Sequence, residues 1–87
     1  MQRRGPSRET EVLLHMLGSM DINEMKYITG DERTIAHATM TLKEVNNRKR
    51  GYKAEWAQKL VAGKHFRSAI YRHKDSWKQT IYIIRVE

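Results

Sequence analysis

Apolar residues recur at helical spacing through the first half of the chain and alternate at strand spacing near its end. Val12, Leu13, Met16 and Leu17 share one face of a first predicted helix, with Ser7 as its N-cap and Gly18 as its left-handed stop. Asp21 and Glu24 form a capping-box-like pair, with Met20 and Met25 at the staple positions. That signal predicts a short second helix, with Ile22, Met25 and Ile28 facing inward and Gly30 at its end. A third helix follows, capped by Asp31, and Ile35, Ala38, Leu42 and Val45 form its core stripe. Asn46, Asn47 and Gly51 mark its end. Residues 54–62 read as a shorter helix with Trp56, Leu60 and Val61 at helical spacing, Trp56 toward the core and Gly63 as the stop. A strand through Trp56 stays open as the alternative.

After Gly63 the period changes to two. Phe66, Ser68 and Ile70 share one side of a strand, and Arg67, Ala69 and Tyr71 the other. Ile81, Ile83 and Arg85 alternate with Thr80, Tyr82, Ile84 and Val86, and Lys74-Asp75-Ser76-Trp77 joins the two runs as a hairpin loop. The second strand is apolar on both faces at Ile83 and Ile84, so it is expected to pack against the helices. The elements predict one α+β domain over residues 7–87: three or four helices, then a C-terminal antiparallel hairpin. Residues 1–6 form a basic arm without apolar pattern.

Charge narrows the function classes. The net charge of the 87-residue chain is +7. Residues 1–42 hold five Lys or Arg against six Asp or Glu, whereas residues 43–78 hold eleven against three. A positive field confined to one stretch attracts polyanions. The chain contains no cysteine, which excludes disulfide scaffolds and thiolate zinc sites. His15, His37, His65 and His73 match no compact ligand spacing, so no metal or cofactor is expected. No oriented nucleophile and base, and no Gly-rich phosphate cradle, is visible, so no enzyme is expected. No run is long and apolar enough for a signal peptide or a membrane span, and the expected compartment is the cytoplasm.

The segment from Asp21 to Ile35, followed by a longer helix and a hairpin, resembles the winged helix-turn-helix domains of small bacterial and phage regulators. The resemblance is one of pattern and runs from about Ser7 to the C-terminus. It implies a transcriptional regulator that docks helix 32–47 in the major groove of double-stranded DNA and lays a basic wing on the backbone. Arg33, Thr34, His37 and Thr41 would face bases. Lys43, Arg48, Lys49 and Arg50 would contact phosphates, and Arg72, His73, Lys74 and Lys78 would form the wing. Expected partners are duplex DNA and a second copy of the chain, held through the first helix or the last strand.

Two other readings stay open. One is a small phage-type protein that binds and blocks a host enzyme or defence complex. The other rests on residues 63–72 and 81–86, which resemble the basic sheet of RelE/ParE toxins. That resemblance implies an RNA-directed site at Arg67, Tyr71, Arg72, His73 and Arg85.

Overall fold

The computed structural model describes residues 8–47 and 55–87. The expected cap at Ser7, the arm at 1–6 and the basic run Arg48-Lys49-Arg50 lie outside them. Three helices and three strands follow in the order helix, strand, helix, helix, strand, strand. The fold is α+β.

Helix α1 (Arg8–Ser19) turns Leu13, Leu14 and Leu17 into the core. Gly18 is not the stop that its residue type suggests, because the helix continues through Ser19 without a positive φ at that glycine. Gly18 instead permits close approach: a Cβ there would lie 3.1 Å from the Leu60 carbonyl oxygen and 3.2 Å from the Leu60 Cβ.

The second helix expected from Asp21 to Gly30 is replaced by a turn and strand β1 (Met25–Gly30). Half of the capping box forms, and a backbone turn bond stands in for the other half. The Asp21 N–H donates to Glu24 Oε1 at 2.8 Å, and the Glu24 N–H donates to the Asp21 carbonyl at 3.0 Å. Propagation fails because Asn23 takes a left-handed φ of 73°. The Asn23 N–H donates to the Arg85 carbonyl, and the Arg85 N–H donates to the Glu24 carbonyl. Tyr27, Ile28 and Thr29 suit a pleated surface, and cross-strand pairing outweighs a nascent turn that supplies few helical bonds. Ile22 and Met25, expected inside, are exposed, and Ile28 is half-buried.

Helix α2 (Glu32–Asn46) begins as its sequence indicates, with the Asp31 carboxylate accepting the Thr34 N–H at 2.9 Å. Its stripe of Ile35, Ala38, Leu42 and Val45 is buried. Asn46 closes the helix and docks the next strand, because its side-chain amide exchanges two hydrogen bonds (2.8 and 3.0 Å) with the Phe66 backbone. Helix α3 (Glu55–Val61) buries Ala57 and Val61, and Gly63 takes a φ of +75° beyond it. Trp56, expected in the core, stays partly exposed and stacks on His15 of α1, with centroids 5.7 Å apart.

Strands β2 (Phe66–Arg72) and β3 (Gln79–Arg85) form the expected hairpin. β3 is the central strand, pairing antiparallel with β1 from Met25↔Ile84 to Gly30↔Gln79 and with β2 from Phe66↔Arg85 to Arg72↔Gln79. The expected two-stranded hairpin is therefore a three-stranded sheet, its third strand drawn from the segment expected as a helix. Ile81 and Ile83 point toward the helices and are fully buried with Phe66, Leu14, Leu17, Met20 and Ile35. Along β2 only Phe66 is buried, so the rest of that strand and its loop project beyond the helical layer.

Candidate nucleic-acid interface

The hairpin loop gathers the densest group of exposed cations among the described residues. Arg72 ends β2, Lys74 lies in the loop, and Lys78 precedes β3, all three exposed. Local bonds shape the loop that carries them. The His73 N–H donates to the Lys78 carbonyl at 3.2 Å, and the Lys78 N–H donates to Ser76 Oγ at 3.0 Å. His73 Nε2 lies 2.9 Å from Thr80 Oγ1, and its ring packs edge-on against Tyr71 at 5.1 Å. Trp77 projects from the same loop with 68% of its surface exposed, and the Lys78 ammonium sits 5.8 Å from its ring centroid. Asp75 is the loop's one acidic residue. The four wing residues expected from the sequence are thus brought together.

The residues expected to read bases are not. Arg33 and Thr34 are exposed at the start of α2. Thr34 packs so closely on Gly30 that a Cβ there would come within 2.9 Å of it. His37 is half-buried and directed at α1, its Nε2 2.8 Å from Thr10 Oγ1. Thr41 is only 5% exposed, and its hydroxyl donates to the His37 carbonyl at 3.0 Å. The polar side of α2 through His37 and Thr41 is therefore occupied by interactions within the domain, which corrects the expectation that both face a groove. Polar residues at helical spacing signal a face, but not whether another helix covers it. Lys43 is exposed in the last turn of α2.

Two further basic residues are committed to the fold. Lys64 Nζ donates to the Gly18 and Leu60 carbonyls, each at 2.8 Å, and so satisfies acceptors near the ends of α1 and α3. The Arg85 guanidinium donates to the Met20 carbonyl at 2.9 Å and to the Glu87 carbonyl at 2.8 Å. Arg85 also shares its side of the sheet with Ile81 and Ile83, opposite Arg67 and Tyr71. The five residues of the toxin-like resemblance thus divide between two faces and do not converge.

Two carboxylates are held below their ordinary range. For Asp31 the chief cause is the Thr34 backbone N–H, followed by the Thr34 hydroxyl. For Glu24 it is the Asp21 N–H, followed by the Lys26 ammonium 3.2 Å away. Both are exposed turn and cap groups rather than reactive acids.

Sequence reasoning does not find the outer face of the sheet. Met25, Tyr27, Tyr82 and Tyr71 lie exposed on it, on the side opposite the core. The signal is present in the alternation of β3, but it stays hidden as long as Met25–Gly30 is taken for a helix.

Among the described residues, no three or more His, Asp or Glu side chains are placed to hold a metal ion, and no helix is long and apolar enough to cross a membrane. Comparison with protein-family models, curated proteins and solved structures found no match to this chain.

Proposed function

We propose that the chain is a duplex-DNA-binding domain of the winged helix-turn-helix kind, acting as a transcriptional regulator. The observation that carries the reading is the projecting hairpin, whose loop presents Arg72, His73, Lys74 and Lys78 beside an exposed Trp77. Cations on a projecting hairpin can follow a phosphate backbone without distorting the core, and backbone contacts supply much of the affinity of such domains. The element order supports the same reading, since two successive helices precede the hairpin.

The helix assigned to the groove changes. In a helix-turn-helix the second of the two helices enters the major groove. The successive helices here are α2 and α3, so the reading role passes from residues 32–47 to Glu55–Val61, where Gln58 and Lys59 are exposed. Arg48, Lys49 and Arg50 fall between these helices in the sequence. His37 and Thr41 then serve the packing of α1 on α2.

Fluorescence anisotropy with a labelled duplex tests the reading. Binding is expected at low salt, weakening steeply as salt rises. Absence of duplex binding at low salt would reject it.

A further inference from the structure

We propose that the outer face of the sheet binds single-stranded nucleic acid, with unpaired bases stacking on Tyr27 and Tyr82. The inference goes beyond duplex recognition by the hairpin loop and rests on a different surface.

Strand register defines the face. Met25, Ile84 and Arg67 form one cross-strand row, Tyr27, Tyr82 and Ala69 the next, and Thr29, Thr80 and Tyr71 the third. Tyr27 is 66% exposed and Tyr82 39% exposed, with their ring centroids 6.0 Å apart and planes inclined by 48°. Met25 and Tyr71 are also exposed. Ala69 stands next to Tyr82 and leaves a shallow open groove of about 230 Å³ between Tyr82, Ile84, Met25 and Arg67. The third row is held in place by the Thr29 and Thr80 hydroxyls, 2.8 Å apart, and by His73 on Thr80. The rings therefore stand on a braced sheet, and little order needs to be gained on binding.

Charge selects the occupant. The three strands contain no Asp or Glu, and of their four Lys or Arg the register places Arg67 on the outer face and Lys26, Arg72 and Arg85 on the inner side. Arg67 is exposed on the outer face beside the groove, and Arg72 and the loop lysines lie along the direction in which β2 leaves the domain. Exposed aromatic rings flanked by cations suit a ligand with π-faces and a polyanionic backbone. Bases in a duplex already stack on one another, so this face is matched to an unpaired strand. A second copy is a poorer match, because a two-fold interface sets each patch against its own equivalent and brings positive groups toward positive groups.

The test is fluorescence anisotropy at low salt with labelled single-stranded DNA, single-stranded RNA and duplex DNA. It uses the full chain and the variants Tyr27→Ala, Tyr82→Ala, Tyr27→Phe and Tyr82→Phe, each checked by circular dichroism. Each alanine variant is expected to weaken single-strand binding roughly 5-fold to 100-fold. The phenylalanine variants retain it, and duplex affinity is unchanged in all four. The DNA and RNA arms show which single strand is preferred. No single-strand binding by the unaltered chain, or alanine variants that bind as it does, would overturn the proposal. So would loss of self-association in sedimentation without loss of single-strand binding. If an alanine variant fails to fold, photocrosslinking of a bromouracil-substituted strand to the unaltered chain replaces it. Crosslinks mapping to Tyr27 or Tyr82 support the proposal, and crosslinks confined to the loop 73–78 overturn it. Loss of duplex binding alone would reject the proposed regulator and leave this surface standing.

Discussion

Ile81 and Ile83 on one side of β3 are fully buried, whereas Tyr82, between them in sequence, faces outward with Tyr27 beside it. A single strand thus joins a region that specifies the fold to a region that contributes little to it. The inner side gathers apolar residues from all three helices, and the outer side and hairpin loop gather rings and cations. A chain this short has one modest core. Exposed aromatic and basic residues on its far side are therefore informative, because packing does not account for them.

The largest effect should come from the inner side. Ile83→Ala is expected to cost about 2–5 kcal/mol, since it leaves a cavity beneath the helices. Tyr82→Ala, one residue away, should cost about 1 kcal/mol or less. Urea denaturation of both variants measures the gap, and equal destabilisation would break the contrast between the two sides.

The second effect falls on binding rather than stability. Replacing Arg72, Lys74 and Lys78 together by alanine should weaken duplex binding and leave stability within about 0.5 kcal/mol for each exposed site. A smaller effect concerns α2. His37→Ala removes the hydrogen bond with Thr10 and should cost about 1 kcal/mol, while preference among duplex sequences stays unchanged. Changes at Gln58 or Lys59 should alter that preference instead. Competition binding with varied duplexes separates the two helices, and altered preference in the His37 variant would return the reading role to α2.

The smallest effect is acid dependence. Asp31 and Glu24 titrate below their ordinary range in the folded chain, because backbone N–H groups favour their ionised forms. Their contribution is present above the unfolded carboxylate pKa of about 4 and disappears as pH falls through the lower folded values. The melting temperature should decline in that acid window. Asp31→Asn keeps a capping oxygen without the titration and should flatten part of the decline.

Much of this architecture is legible in the sequence. The Asp31 cap, the α2 stripe, the stop at Gly63 and the hairpin from Phe66 to Arg85 follow from local rules that the packing leaves intact. Met25–Gly30 does not, because Asp21 and Glu24 carry a true local signal whose continuation depends on a partner strand more than fifty residues away. That one reassignment conceals the outer face of the sheet, since a two-stranded hairpin alone offers no face of that breadth. The exposure of Arg72, His73, Lys74 and Lys78 is legible because loops at hairpin tips are exposed by geometry. His37 and Thr41 are misplaced because helical periodicity does not reveal which neighbour covers a polar stripe.

The most direct test of the central claim is the salt dependence of duplex affinity for the unaltered chain and the Arg72, Lys74 and Lys78 triple alanine variant. The logarithmic slope should fall by roughly 0.9 for each phosphate that is no longer neutralised, about 2.7 if all three cations engage. Identical slopes for the two proteins, with both folded, would contradict the hairpin as the phosphate-binding element.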